Sequence, residues 1–113
     1  MLKFSILIPE WPQVDRPMAM DYIDQLDWPK GDLEIIIAKG YQPCRQRNTA
    51  AQKAKGDILI FFDNDSCPKP NYLQQLSSHF DDPDVSAVGG PNPALLTEGN
   101  LPNLVDWAAK RVG

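Results

Sequence analysis

The chain has 113 residues, and its hydrophobic content of 42% is enough for one small domain with a core. The 11 basic and 15 acidic residues give a net charge of −4 with no basic block, which disfavours nucleic-acid binding as a main task. Cys44 and Cys67 form no C-x-x-C pair and favour reduced thiols in the cytoplasm over a zinc or disulfide framework. No apolar run approaches the ~18 residues that span a bilayer, so we expect no membrane segment.

Strands and helices are predicted to alternate along the chain. The pattern predicts strands at 4–8, 33–38, 58–62 and 85–88, with Pro9 stopping the first. It predicts helices from a cap at Asp15 through Leu26, at 43–54, from Pro68 through Phe80, and at 100–110. Four such alternations predict an α/β fold, an open and mainly parallel Rossmann-like sheet with right-handed crossovers and flanking helices. We expect residues 1–113 to form one incomplete domain, because no strand follows the last helix.

The run Ile58-Leu59-Ile60-Phe61-Phe62 ends abruptly in Asp63-Asn64-Asp65. A short, continuous apolar run predicts a strand buried on both faces, and open α/β sheets bind ligands at the carboxyl ends of their strands. Residues i and i+2 of an extended segment point to the same side, so the two carboxylates can converge. Hard oxygen ligands suit Mg²⁺ or Mn²⁺ bound to a diphosphate. The alternative interpretation is an ordinary turn before Pro68.

Two further groups of residues are candidates for a ligand site. Arg45, Arg47 and Asn48 lie near the start of a predicted helix, where guanidinium groups and the helix N-terminus both favour phosphate oxygens. A solvated helix face is the alternative interpretation of these three. Pro9-Glu10-Trp11 follows the first strand, where Trp11 is positioned either to cover a nucleotide base or to pack on the first helix.

The ordered series of these motifs resembles the N-terminal half of a family 2 glycosyltransferase. The resemblance rests on Ser5-Ile6-Leu7-Ile8-Pro9, residues 33–37, Arg47-Asn48-Thr49-Ala50-Ala51, residues 54–57, Phe61-Phe62-Asp63-Asn64-Asp65 and residues 88–92. It implies the GT-A fold and a nucleotide-diphosphate sugar as donor. It also implies that Asp63 contacts the ribose or diphosphate, that Asp65, with Asp63, holds Mn²⁺ or Mg²⁺, and that the Pro9–Trp11 loop lines the base pocket. The acceptor would be a sugar or lipid hydroxyl.

Two departures from the family pattern matter. Ala38-Lys39-Gly40 stands where the family usually carries an acidic residue that helps to read the base, so Lys39 becomes a candidate phosphate ligand. No family motif for the catalytic carboxylate is found, and neither Glu98 nor Asp106 lies in a matching motif. We therefore expect these 113 residues alone to bind a sugar nucleotide weakly or not at all and to transfer nothing. The full-length protein is expected in the cytoplasm, with peripheral attachment to the membrane left open.

Two other classes of function compete with this interpretation. A receiver-like signalling domain would use Asp63 as its phosphoryl acceptor and Glu10 as an acidic metal partner. That class needs a hydroxyl residue after its fourth strand, where this chain has Gly89-Gly90. The other alternative is a degenerate domain that keeps the fold and serves as a non-catalytic scaffold.

Overall fold

The computed structural model describes residues 2–89. It contains the strands β1 (Phe4–Glu10), β2 (Leu33–Lys39) and β3 (Ile58–Phe61), and the helices α1 (Ala19–Ile23), α2 (Pro43–Lys53) and α3 (Tyr72–His79). The chain divides into two compact units, with the boundary between Ser78 and His79. The predicted helix at 100–110, together with Glu98 and Asp106, lies outside the described residues. Across residues 2–89, no helix has the length and apolar character needed to cross a membrane.

The three strands form one parallel sheet in the order β2-β1-β3. The register pairs Ile6 with Ile35 on one side and with Ile60 on the other. Parallel strands need crossover connections, which here contain α1 between β1 and β2, and α2 between β2 and β3. This arrangement confirms the predicted α/β class with a parallel open sheet and flanking helices. It also brings the carboxyl ends of all three strands to the same edge.

The main hydrophobic core lies on one face of this sheet. Alternate residues of β1 point into it and are fully buried, and residues of β3, α1 and α3 pack against them. The buried members of this cluster are Phe4, Ile6, Ile8, Ala19, Met20, Ile23, Leu26, Ile60, Phe62 and Leu73. Leu7 points to the opposite face and is equally buried, and α2 packs against β1 and β2. Central strand β1 is therefore buried on both faces.

Strand β3 differs from the prediction that it is buried on both faces. Leu59 and Phe61 are 38% and 54% exposed, whereas Ile60 between them is buried. The reason is that β3 lies at an edge of the described sheet and packs its apolar residues on the core face only. The predicted fourth strand is also absent from the described residues. Residues 85–88 have no regular structure, and the Val85 N–H donates to the Asp82 carbonyl in a turn.

The end of β1 and the start of α1 also correct the sequence prediction. Strand β1 continues through Pro9 to Glu10. Pro9 has no N–H to donate, but the pairing with β3 has already ended at this point, so no hydrogen bond of the sheet is lost. Helix α1 begins at Ala19, and Asp15 does not cap it. The Ala19 N–H instead donates to the Asn64 carbonyl at 2.9 Å, so a loop distant in sequence takes the place of the expected cap.

A buried polar group fixes the amino ends of the strands. Ser5 is fully buried, its hydroxyl donates to Glu34 Oε1 at 3.2 Å, and it accepts from the Gly56 N–H at 2.8 Å. Glu34 Oε1 also accepts from the Lys55 N–H at 3.2 Å. The turn before β3 is thereby attached to both other strands. A Cβ at Gly56 would lie 2.5 Å from the Ser5 hydroxyl oxygen and 2.7 Å from the Ser5 amide nitrogen.

We therefore predict that Gly56→Ala destabilises the chain by about 1–3 kcal/mol, because backbone atoms must move to admit the methyl group. Urea unfolding followed by circular dichroism measures the difference. Gly31→Ala is the matched control, since a Cβ there meets nothing within 4 Å and should change stability by less than about 0.5 kcal/mol. Equal unfolding midpoints for the two variants would contradict this account of the turn.

Candidate functional site

A cavity of about 250 Å³ lies at the carboxyl ends of the three strands. Open α/β sheets bind their ligands at this edge. Each strand contributes residues at or just after its end, and the first turns of α2 complete the wall. The lining residues are Pro9, Glu10, Trp11, Gly40, Tyr41, Pro43, Gln46, Arg47, Asp63, Asn64 and Asp65. Seven of the ten residues that the sequence singled out are thus brought together at one place.

The loop after β3 carries the two predicted metal-binding aspartates. Phe62 is buried against Tyr72, with ring centroids 5.5 Å apart, and burial raises the pKa of Tyr72. Beyond Phe62, the Asp63 N–H donates to the Ser66 hydroxyl at 3.0 Å and the Ser66 N–H donates to the Asp63 carbonyl at 3.2 Å. This turn leaves the Asp63 and Asp65 side chains exposed beside the same cavity.

Arg47 pairs with the first of these aspartates. Its guanidinium Nη2 donates to Asp63 Oδ1 at 2.9 Å, and the two side chains are 31% and 65% exposed. Ion pairs this exposed contribute at most about 1 kcal/mol, because water and salt screen them. The pair can therefore open when a competing anion or cation arrives. Within residues 2–89, the Asp65 carboxylate makes no such bond.

Glu10 is the buried carboxylate of the cavity. It is 4% exposed, and its Oε1 accepts from the Trp11 N–H at 2.8 Å and from Asn64 Nδ2 at 3.2 Å. Among the described residues, no cation pairs with Glu10 and no hydrogen bond reaches its Oε2. A buried carboxylate without a cation is costly, which makes its place in a ligand cavity informative. The sequence identified Glu10 only as part of a loop.

Gln46 joins the ends of β1 and β2. Its Nε2 donates to the carbonyl oxygens of Glu10 at 3.1 Å and Ala38 at 2.6 Å. Gly40 packs directly on it, since a Cβ there would lie 3.0 Å from the Gln46 Cδ. Sequence analysis missed both residues, as well as Tyr41 and Pro43. The sequence feature that could have identified these residues is the very short connection between the second strand and the following helix.

Two aromatic side chains flank the opening of the cavity. Trp11 and Tyr41 meet edge to face, with ring centroids 5.6 Å apart, although both are more than half exposed. Large exposed aromatic rings beside a polar cavity are suited to covering a planar ligand. Trp11 therefore lies at the cavity as predicted, and Tyr41 is its unforeseen partner.

Lys39, Asn48 and Arg45 lie apart from this cavity. Lys39 Nζ donates to the Val14 carbonyl and, with Arg45, lines a second cavity of about 490 Å³ beside β2 and α2. Asn48 is exposed and lines neither cavity. Because the Lys39 amine is bonded to the Val14 carbonyl, it does not take the position that the family resemblance suggested.

The described residues contain no group of three or more histidine, cysteine, aspartate or glutamate side chains that could hold a metal ion. Asp63 and Asp65 are therefore the two side chains considered as ligands of a divalent ion. Their exposed hard oxygens are the type that Mg²⁺ and Mn²⁺ prefer, and Mg²⁺ usually takes one or two protein carboxylates together with waters and substrate phosphates. A pair of aspartates is compatible with that manner of binding.

A strand-end cavity with paired aspartates, an arginine and a Rossmann-like sheet matches the family that the motifs suggested. A model of glycosyl transferase family 2 matches residues 21–108, more than half of the chain. The chain belongs to glycosyl transferase family 2. The resemblance predicted from the sequence is thereby confirmed, and the receiver-like alternative is wrong.

Two relatives support the assignment to family 2. Both are described as pre-mycofactocin glycosyltransferases of Mycobacterium tuberculosis, from strains CDC 1551 and H37Rv, and both are 37% identical to this chain over 74 residues. The similarity covers 63% of this chain and 15% of each relative. The chain thus spans only a small part of the length of the curated relatives that it matches.

We predict that a double-mutant cycle of Arg47→Ala and Asp63→Ala gives a coupling energy below about 1 kcal/mol. Urea unfolding of the wild type, both single variants and the double variant measures this energy. Because the pair is exposed, the coupling should fall further in 0.5 M NaCl. A coupling above about 2 kcal/mol would show that Arg47 and Asp63 form a structural pair that a ligand cannot readily open.

Proposed function

We propose that this chain forms the donor-binding part of a metal-dependent glycosyltransferase. In this proposal the enzyme moves a sugar from a nucleotide-diphosphate donor to a sugar or lipid hydroxyl. The observation that carries the proposal is the convergence of Asp63, Asp65 and Arg47 on one cavity at the strand ends. Family membership supports the class of reaction. A cytoplasmic location is part of the proposal, supported by the unpaired thiols of Cys44 and Cys67.

Charge within the cavity supports a divalent cation. Among the lining residues that the structure describes, Arg47 is the only cationic side chain, whereas Glu10, Asp63 and Asp65 are acidic. These four side chains carry a net negative formal charge, which repels an anionic diphosphate. A bound Mg²⁺ or Mn²⁺ would neutralise this charge and stabilise the negative charge that develops on the departing diphosphate.

The chain's own residues divide the remaining tasks. Asp65 has an exposed carboxylate with no hydrogen bond or ion pair among the described residues and would hold the metal, with Asp63 as a second ligand. Asp63 would also accept a hydrogen bond from the ribose once Arg47 releases it. Arg47 would then be free to contact a phosphate oxygen, with the short, charge-assisted bonds that a guanidinium forms. Trp11 and Tyr41 would cover the base.

We predict that Asp65→Ala abolishes metal-dependent binding of nucleoside diphosphates. For the 113-residue chain we expect weak binding, with a Kd on the order of 1 mM for UDP or GDP with Mg²⁺, so amide NMR titration is the suitable measurement. Adding Mn²⁺ should broaden the amide signals of residues 63–65 before others. In Asp65→Ala this selective broadening and the effect of Mg²⁺ on binding should both disappear.

Asp81→Ala is the control, because Asp81 is exposed and does not line the cavity. It removes one negative charge, as Asp65→Ala does, and should leave binding unchanged. If the wild type shows no metal-dependent nucleotide binding, the scaffold alternative replaces the proposed function. If Asp65→Ala and Asp81→Ala behave alike, Asp65 is not the metal ligand.

A further inference from the structure

The feature that the proposed function leaves unused is the free oxygen of Glu10. Its Oε1 is occupied by the Trp11 N–H and Asn64 Nδ2, and both donors hold the carboxylate in one orientation. Its Oε2 has no hydrogen bond among the described residues, although Glu10 lines the cavity and is 4% exposed. Glu10 Oε2 is not among the fully buried unpartnered atoms of the described residues, so it remains accessible at the cavity that Glu10 lines. An accessible acceptor that is held in one orientation can receive a hydrogen bond from a donor on the ligand.

No other carboxylate competes for this task at the neighbouring strand end. Strand β2 ends in Lys39, followed by Gly40 and Tyr41, and the lysine amine is bonded to the Val14 carbonyl. Glu10 adjoins Trp11, whose ring meets Tyr41 at the mouth of the cavity. The acceptor therefore lies beside the aromatic pair that would cover a planar ring, whereas Asp63 and Asp65 lie in the loop after β3.

We propose that Glu10 determines which nucleobase the donor carries, by accepting a hydrogen bond from a ring N–H through Oε2. Uracil, thymine and guanine carry a ring N–H on the Watson–Crick edge. Cytosine and adenine present a ring nitrogen lone pair at the equivalent position, so they can offer a carboxylate only their exocyclic amino group. The proposal therefore favours a uridine, thymidine or guanosine diphosphate sugar as the donor. This inference rests on the proposed function.

The substitution Glu10→Gln reverses the direction of the proposed hydrogen bond with little change in the shape of the side chain. In Glu10→Gln the amide oxygen can take the place of Oε1, because the Trp11 N–H and Asn64 Nδ2 both donate to that atom. The amide nitrogen then takes the place of Oε2 and becomes a donor. The variant should lose its preference for a ring N–H and favour a ring acceptor.

The experiment compares two matched pairs, UDP with CDP and GDP with ADP, by amide NMR titration in Mg²⁺. We expect the wild-type chain to bind UDP and GDP roughly tenfold more tightly than CDP and ADP, with shifts at the Trp11 amide, which is bonded to Glu10. Glu10→Gln should abolish or reverse both preferences. Thermal unfolding checks that the variant is folded, and the wild-type comparison tests the proposal even if it is not.

Glu34→Gln is the matched control. Glu34 also accepts two hydrogen bonds through Oε1, from the Ser5 hydroxyl and the Lys55 N–H, but it lies at the amino end of the strands and does not line the cavity. This variant should keep the wild-type preference. If UDP and CDP bind the wild type equally well, Oε2 accepts from a ribose hydroxyl or from nothing, and the proposal is overturned.

Nucleosides without phosphate separate this inference from the proposed function. Uridine should bind more tightly than cytidine even without Mg²⁺, because the base contact needs neither diphosphate nor metal. If uridine is preferred but diphosphate and Mg²⁺ add nothing, the donor function fails and the role of Glu10 remains. If Mg²⁺-dependent binding occurs without any base preference, the donor function remains and the role of Glu10 is refuted. If no nucleoside or nucleotide binds, both are refuted.

Discussion

The hydrogen bonds of Glu10 connect all three strand ends, and the cavity depends on them. Its main-chain carbonyl accepts from the Gly40 N–H at 3.0 Å and from Gln46 Nε2, which links the end of β1 to the segment after β2. Its side chain accepts from Asn64, which links β1 to the loop after β3. The Asn64 carbonyl in turn accepts from the first N–H of α1. Loops that are distant in sequence thus hold one another in place.

The sequence predicted the elements that local patterns determine. Apolar runs located β1, β2 and β3 to within one or two residues, and Pro43 marked the start of α2. The aspartates and Trp11 lie at one cavity, because the rule that ligands bind at strand ends in parallel sheets is general. Burial was predicted less well. Phe61 is as apolar as Phe62, but Phe62 points to the core face, whereas Phe61 points to the other face, which is left open at the edge strand β3.

The residues missed in the candidate site depend on tertiary contacts. Only Gly40, Tyr41 and Gln42 connect β2 to α2, so the first turns of the helix are drawn against the strand ends. Gln46 then reaches two carbonyl groups whose direction is set by the pairing of β1 with β2. Lys39 was assigned to phosphate on its position in the sequence alone. In the structure the Lys39 amine instead bonds the Val14 carbonyl, a tertiary contact that the sequence pattern does not show.

The presence of Glu10 has a cost that the rest of the cavity does not remove. A buried carboxylate that pairs with no cation among residues 2–89 weakens folding, and its charge adds to the repulsion between the cavity and an anionic diphosphate. A neutral side chain at this position would relieve both effects, but Gly40 and Gln46 bond only its main chain. The carboxylate itself is held by the Trp11 N–H and Asn64, both at the edge of the cavity. Its contribution to structure is thus local to the site, as expected for a residue whose cost is balanced by ligand recognition.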